Sequence, residues 1–406
     1  GAIFAAWLIP DFKVSDNFAA ILLLFASTRL IERPSVARYF QGGICLGVAA
    51  MIGINHALYG CIGGLLTLAY VGSLSHKRMA IGAIIMGGIL GYSPMLALAA
   101  FAPGFAAALI DSIVIIFETG TTNLPLPFPD LFAPLRGPDT LHVRYLTQSL
   151  LAFSLLAIPL LWLWMAWRLR DRAFRANVPP AVPAGLLLSL PYAHYVVSRA
   201  DITHAAVSVL PVLAMVLALA AWRGGRVAPW LIVVSLLLLS LFMTARERPI
   251  YDHLRGAEMT AIDEDGVTMF VTRFDLVQLE SVRALAAVAG SATFFAGPQL
   301  PGAYALEGRK APVWELYMLF PSSPARQGAE IARLRTANTC YALISNNGVE
   351  GDAAAGLRET HPLLLAELEQ RLERSQAIVG MPGMTIRSTA GNCAKQRTKH
   401  SGSMKP

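Results

Sequence analysis

Seven residues, Ser198-Arg199-Ala200-Asp201-Ile202-Thr203-His204, crowd three ionisable side chains into the junction between two apolar runs. At helical spacing Asp201 and His204 share a face, and Arg199 stands just ahead of them. An arginine with a histidine holds a phosphate or pyrophosphate through charge-assisted hydrogen bonds, while the aspartate orients either partner. The same residues suit a plain helix start, with Asp201 as N-cap and Arg199 reaching for lipid headgroups. Ionisable groups at a membrane boundary usually mark a pathway or a site, which tips the reading toward function.

Tyr192 and His194 precede this group and can extend it, although His194 equally suits a neutral, hydrogen-bonded core histidine. Asn55 and His56 form a polar turn that can meet a substrate headgroup or merely satisfy helix ends. Asp11 and Asp16 are candidate carboxylate bases; Asp16, followed by Asn17, reads first as a helix cap. Asp263-Glu264-Asp265-Gly266 reads as an acidic solvated turn rather than a metal site, since nothing nearby supplies neutral ligands or supporting partners. The sequence shows no internal repeat, Gly-rich phosphate loop, His/Cys metal cluster or serine nucleophile elbow.

The elements that must position these residues follow from composition. Of 406 residues, 55% are hydrophobic and 15% charged, with mean hydropathy +0.53, against about 25% charge in soluble domains. A purely soluble protein is excluded. Of 59 charged residues, 35 lie from Arg246 onward, so the chain divides into an apolar domain (1–245), a polar domain (246–389) and a basic tail (390–406) expected to be disordered. Uncharged runs such as Tyr145–Trp167, 23 residues long, approach the length of a bilayer-crossing helix. Spans are expected near 1–9 (partial), 17–30, 39–55, 57–73, 80–102, 146–167, 181–198, 202–222 and 228–245. The first run stops at Pro10 and residue 1 is Gly, so a truncated N-terminus is expected.

With that layout, eleven Lys and Arg residues, among them Arg29, Arg38, Lys77 and Arg170, fall on one side and four on the other. Basic loops stay cytoplasmic, so the polar domain is expected outside. Residues 101–144 read as an interfacial helix with a Pro-stiffened loop on the membrane. The polar domain alternates short apolar runs (267–271, 293–296, 341–345) with helices near 275–289, 323–336 and 362–376, which suggests a small α/β domain with a largely parallel sheet. Phe294, Tyr304, Trp314 and Tyr317 read as core or interface residues. Two of the four cysteines, Cys340 and Cys393, lie in this half; a bridge between them is open if it faces an oxidising compartment, but two unpaired thiols are favoured. The net charge of +7 is mostly membrane-flanking arginine and gives nucleic-acid binding no support.

Three stretches resemble the polytopic glycosyltransferases of the GT-C fold, in particular bacterial relatives of protein O-mannosyltransferases and of the lipid A aminoarabinose transferase. They are Gly42-Gly43-Ile44-Cys45-Leu46-Gly47-Val48-Ala49-Ala50 leading to Asn55-His56; Arg199-Ala200-Asp201 with His204; and Thr293–Gly297 through Tyr304–Pro312, with Tyr341–Ile344. The resemblance implies a multi-pass protein of the bacterial cytoplasmic membrane with an extracytoplasmic C-terminal domain. It implies transfer of a sugar from a polyprenyl-phosphate donor to a lipid, glycan or protein acceptor by inverting displacement, with no cofactor or metal required. Arg199, Asp201, His204, Asn55, His56, Tyr192 and His194 would then bind substrate. The family's catalytic carboxylate lies in the loop after the first span, which the resemblance places ahead of this sequence, with Asp11 and Asp16 the nearest carboxylates. Asn55-His56 departs from the Lys or Arg common at that turn. The competing reading is a transporter or flippase for a lipid-linked or anionic solute, with the same ionisable residues lining its path.

Overall fold

A computed structural model describes residues 2–8, 14–72, 77–119, 131–132, 143–199, 201–222, 227–247, 249–254, 256, 258–264, 266–345, 355–378 and 383–389. The chain forms two compact units, one of 1–113 with 125–254 and one of 114–124 with 255–406.

The helices of the first unit are α1 (Ala2–Ala6), α2 (Val14–Glu32), α3 (Val36–Ile52), α4 (Ile54–Val71), α5 (Lys77–Gly91), α6 (Ser93–Phe101), α7 (Phe105–Thr119, of which the part from Val114 belongs to the second unit), α8 (Val143–Arg168), α9 (Arg172–Asn177), α10 (Ala181–Ser198), α11 (Ile202–Trp222), α12 (Ala228–Thr244) and α13 (Pro249–Leu254). A helix lies in each of the nine expected spans, but among the described residues five are long and apolar enough to cross a membrane: Val14–Glu32, Ile54–Val71, Leu146–Arg168, Ala181–Ser198 and Ile202–Trp222. The single span expected over 80–102 is a pair, α5 and α6, bent by 56°. Pro94 is the cause, because it has no amide to continue α5 and is favoured in the first turn of a new helix. The turn expected at Asn55-His56 falls earlier, at Gly53, whose extended backbone ends α3 and starts α4. Asn55 and His56 are therefore in the first turn of α4.

Glycine sets the closest helix contact. A Cβ at Gly43, Gly47, Gly87 or Gly91 would run into the backbone of the facing helix, so α3 and α5 touch main chain to main chain. The core lies around α2, α10 and α11, where Ala19, Ala20, Leu188, Tyr192, Ala206 and Val207 are buried together.

In the second unit, β1 (Met259–Glu264) and β2 (Val267–Thr272) make an antiparallel hairpin, followed by α14 (Arg273–Ala289), β3 (Phe294–Gly297), α15 (Gly302–Leu306), α16 (Pro324–Thr336), β4 (Tyr341–Ser345), α17 (Leu357–Thr360), α18 (Pro362–Arg371), β5 (Arg374–Ala377) and β6 (Met384–Ser388). The four-stranded sheet has the order β3-β4-β6-β5, and only β3 and β4 are parallel. This corrects the largely parallel sheet expected: residues 267–271 pair in the hairpin instead, and the helix expected over 362–376 gives way to β5. Strand alternation sends Phe294, Ala296 and Leu343 to one face under α14, and Phe295, Ala342 and Ile344 to the other under α16 and α18. Phe294 and Tyr304 are core residues as expected, whereas Trp314 is half-buried and Tyr317 is exposed.

The acidic tetrad is the hairpin turn: Asp263 and Glu264 end β1, Gly266 takes φ +80°, and Asp265 lies outside the described residues. Cys340 is disulfide-bonded while Cys45 and Cys61 are free, which overturns the expectation of unpaired thiols. The antiparallel pairing supplies the reason. It sets Ser388 opposite Tyr341 and Thr389 N donates to Cys340 O (3.1 Å), so the chain leaving β6 passes beside Cys340. Cys393, the basic tail and the Pro-rich loop at 121–129 lie outside the described residues.

Candidate functional site

The starts of α2, α4 and α11 and the end of α10 come together at one end of the first unit, because α10 packs antiparallel to the other three and each apolar run changes to polar residues at that end. Asp16 comes from the first turn of α2, His56 from the first turn of α4 with Tyr59 one turn deeper, and Tyr192 and Tyr195 from the last turns of α10. Arg199 and Asp201 lie in the link and His204 in the first turn of α11.

Two carboxylate–imidazole pairs result. In the first, the Tyr195 hydroxyl donates to Asp16 Oδ2 (2.7 Å), and His56 Nε2 stands 3.4 Å from that oxygen without the alignment of a hydrogen bond. His56 Nδ1 meets the Tyr192 hydroxyl at 2.8 Å. With Tyr192 as donor there, the imidazole carries its proton on Nε2, facing Asp16. In the second pair, Asp201 Oδ1 accepts from His204 N (2.7 Å) and from the Thr203 hydroxyl (2.7 Å), and lies 2.7 Å from His204 Nδ1. Arg199 Nε reaches Asp201 Oδ2 at 3.0 Å. Asp201 thus caps the start of α11 and at the same time contacts both Arg199 and His204. Burial would raise its pKa, but hydrogen bonds from His204 and Thr203 outweigh that and hold the carboxyl below its ordinary range.

Tyr195 joins the pairs. Its ring stacks on His56 at 6.2 Å between centroids and lies 5.3 Å from the His204 ring. His56 and His204 are only 2% and 6% exposed, so each imidazole meets its carboxylate with little water around it.

Of the residues singled out in the sequence, Arg199, Asp201, His204, His56, Tyr192 and Asp16 belong to this cluster. The Asp16 carboxylate reaches across the bundle, a larger part than the cap expected of it. His194 is exposed on α10 and shares its Nδ1 with the Tyr59 hydroxyl (2.9 Å), so it is not a core histidine. Asn55 is exposed. Asp11 lies outside the described residues. Sequence reasoning missed Tyr59 and Tyr195, each three residues from a residue it did single out (His56 and Tyr192), and Asn17, buried with its Oδ1 unpaired and its amide donating to Trp7 O (3.3 Å). Among the described residues, no three His, Cys, Asp or Glu side chains gather as a metal site.

Among the described residues, two apolar grooves lie deeper along the helices that carry the cluster. One, of about 270 Å³, begins at Gly60, one turn beyond His56, and runs between α2, α3 and α4. The other, of about 330 Å³, begins at Val196, Ala205 and Ser208, next to Tyr195 and His204, and runs between α8, α11 and α12. The chain matches no protein-family model, no curated protein and no solved structure.

Proposed function

We propose that this chain is a membrane glycosyltransferase that moves a sugar from a polyprenyl-phosphate donor to an acceptor hydroxyl at the outer face of the bacterial cytoplasmic membrane, by inverting displacement. One observation carries the reading: at one end of an apolar helical unit, a half-buried carboxylate beside a buried imidazole faces a guanidinium–carboxylate–imidazole set across one tyrosine ring. In the step, Asp16 takes the acceptor hydroxyl proton, the acceptor oxygen bonds to the anomeric carbon, and the bond from that carbon to the phosphate oxygen breaks. Polyprenyl phosphate leaves with the electron pair. Arg199 and His204, oriented by Asp201, stabilise the negative charge that gathers on it.

The placement in the membrane is part of the proposal. Arg29, Arg33, Arg168, Arg170 and Arg175 sit on helix ends away from the cluster, at the C-terminal ends of α2 and α8 and on α9, which supports a cytoplasmic location for that end and an outer one for the cluster. A disulfide at Cys340 supports an oxidising compartment for the second unit. The transporter reading lacks a comparable observation, since the ionisable groups gather at one end rather than midway through the bundle.

The test is transfer in proteoliposomes from a polyprenyl-phosphate-linked sugar. Loss of transfer in both Asp16→Asn and Arg199→Ala, with the fold retained, supports the reading; wild-type transfer in both, or uptake of solute without transfer, overturns it.

A further inference from the structure

Gly63 makes room for α10 against α4. A Cβ there would stand 2.6 Å from Leu188 Cδ1 and 3.7 Å from Leu188 Cα, so the glycine leaves the space in which Leu188 seats. Because the two helices run antiparallel, that contact carries Tyr192, one turn on from Leu188, to the level of His56 near the start of α4. There the Tyr192 hydroxyl meets His56 Nδ1 at 2.8 Å, and the other ring nitrogen, Nε2, stands 3.4 Å from Asp16 Oδ2. Three tyrosine rings surround the imidazole, Tyr195 stacked on it and Tyr192 and Tyr59 against it at 5.8 and 6.4 Å between centroids.

The sequence suggests Tyr192 and His56 as substrate contacts, but side chains 0% and 2% exposed lie too deep to meet one. What they do instead follows from counting hydrogens. In a neutral imidazole one nitrogen donates and the other accepts. Were Nδ1 the donor, the Tyr192 hydroxyl would accept, and its own hydrogen would have no acceptor among the described residues. A bare Nε2 lone pair would also face the Asp16 carboxylate. Both faults are costly in a buried site. With Tyr192 as donor both disappear, because the hydroxyl hydrogen is used and Nε2 carries a proton toward Oδ2.

From this arrangement we infer that Tyr192 and His56 are positioning residues for the Asp16 carboxylate. Tyr192 fixes the imidazole as its Nε2–H tautomer. On assembly of donor and acceptor, that N–H closes on Asp16 Oδ2 and joins the Tyr195 hydroxyl already bound there (2.7 Å). A bond long in the resting protein and short in the loaded one is common around a catalytic base. Two donors on one oxygen fix the orientation from which the carboxylate takes the acceptor's proton, and neither His56 nor Tyr192 touches substrate. The inference rests on the transferase reading and adds to it the residues that orient its base.

Two measurements on the full-length protein test this. The first reads the tautomer directly, by magic-angle-spinning NMR of 15N-histidine-labelled protein in lipid nanodiscs at about pH 8, above the ordinary histidine range. His56→Gln identifies the ring-nitrogen signals of His56 among the eight histidines. His56 should carry its proton on Nε2 in wild type, and Tyr192→Phe should raise the Nδ1–H form roughly fivefold to tenfold. A wild-type ring protonated on Nδ1 alone or on both nitrogens, or a ring whose tautomer is unchanged in folded Tyr192→Phe, overturns the inference. The second measurement reads which nitrogen matters, since glutamine places an amide nitrogen near the position of Nε2 and asparagine near that of Nδ1. In proteoliposome transfer, His56→Gln should keep roughly tenfold more kcat than His56→Asn, and Tyr192→Phe should lose roughly tenfold in kcat with KM unchanged. Equal losses in the two His56 variants, or losses in step with folded protein, overturn it. The Nε2–H tautomer in a protein that transfers no sugar would sink the transferase reading and leave the Tyr192–His56–Asp16 arrangement standing. Transfer by a protein with the other tautomer would do the reverse.

Discussion

Asp16→Asn separates chemistry from architecture, because asparagine keeps the shape of the side chain and loses only its charge and its capacity to take a proton. The Tyr195 hydroxyl now donates to Asp16 Oδ2 at 2.7 Å, and the amide oxygen of asparagine can accept the same bond. The change exchanges a charge-assisted hydrogen bond for a neutral one, a loss of stability of about 1 kcal/mol. A general base contributes roughly 10²–10⁴ in rate, or about 3–5 kcal/mol of barrier. Initial rates of sugar transfer in proteoliposomes should therefore fall by two to four orders of magnitude in kcat with KM little changed, while thermal unfolding followed by tryptophan fluorescence shifts by only a few degrees. A variant with wild-type kcat would show that Asp16 takes no proton. One that loses activity in proportion to folded protein would show that it is an architectural residue.

Arg199→Ala should remove about 1.5–3 kcal/mol of phosphate binding, and Arg199→Lys should restore only part of it because the planar fork is lost; donor titrations of the transfer rate measure both. The hydrogen bonds that hold Asp201 below its ordinary pKa make its contribution to stability complete above that ordinary value and lost as pH falls through the depressed one. Asp201→Asn should accordingly flatten the acid limb of an unfolding profile. Glu330 in the second unit behaves oppositely: burial raises its pKa, although Trp314 N (2.8 Å) and Arg333 oppose this. The folded state then holds that proton longer than the unfolded one, and stability falls as pH rises from the ordinary glutamate value through the raised one. Glu330→Gln, which can still accept from Trp314, should gain on wild type in denaturant midpoint as pH approaches neutrality. Gly87→Leu should prevent α3 and α5 from closing and lower the yield of folded protein more than Gly82→Leu, at which a Cβ meets nothing within 4 Å.

The helices of the first unit were legible because uncharged runs near bilayer length have few other uses, and the group around Asp201 was legible because its members are sequence neighbours. Tyr195 and Asp16 meet across 179 positions, and no local pattern records that meeting; only the antiparallel packing of α2 against α10 creates it. The boundary at Gly53 was read two residues late because Asn and His are the polar residues there, whereas the chain breaks where the backbone extends. β5, with the sequence Arg-Ser-Gln-Ala, carries no apolar alternation because all four residues are exposed at a sheet edge, so its sequence reads as the end of a helix. The missed strand pair also hid the route that brings the chain after β6 back to Cys340.

The main-chain contact between α3 and α5 also decides how the first groove can open. Glycines let the two backbones seat directly against each other, with no long side chains between them to change rotamer. The pair consequently behaves as one stiff plank, resistant to the sliding that side-chain interfaces permit. Tyr39, Leu46 and Ile84 belong to that plank, while Gly60, Cys61 and Gly64 on α4 form the opposite wall. Any widening of that groove therefore falls to α4, which starts at the extended residue Gly53 and carries His56 in its first turn.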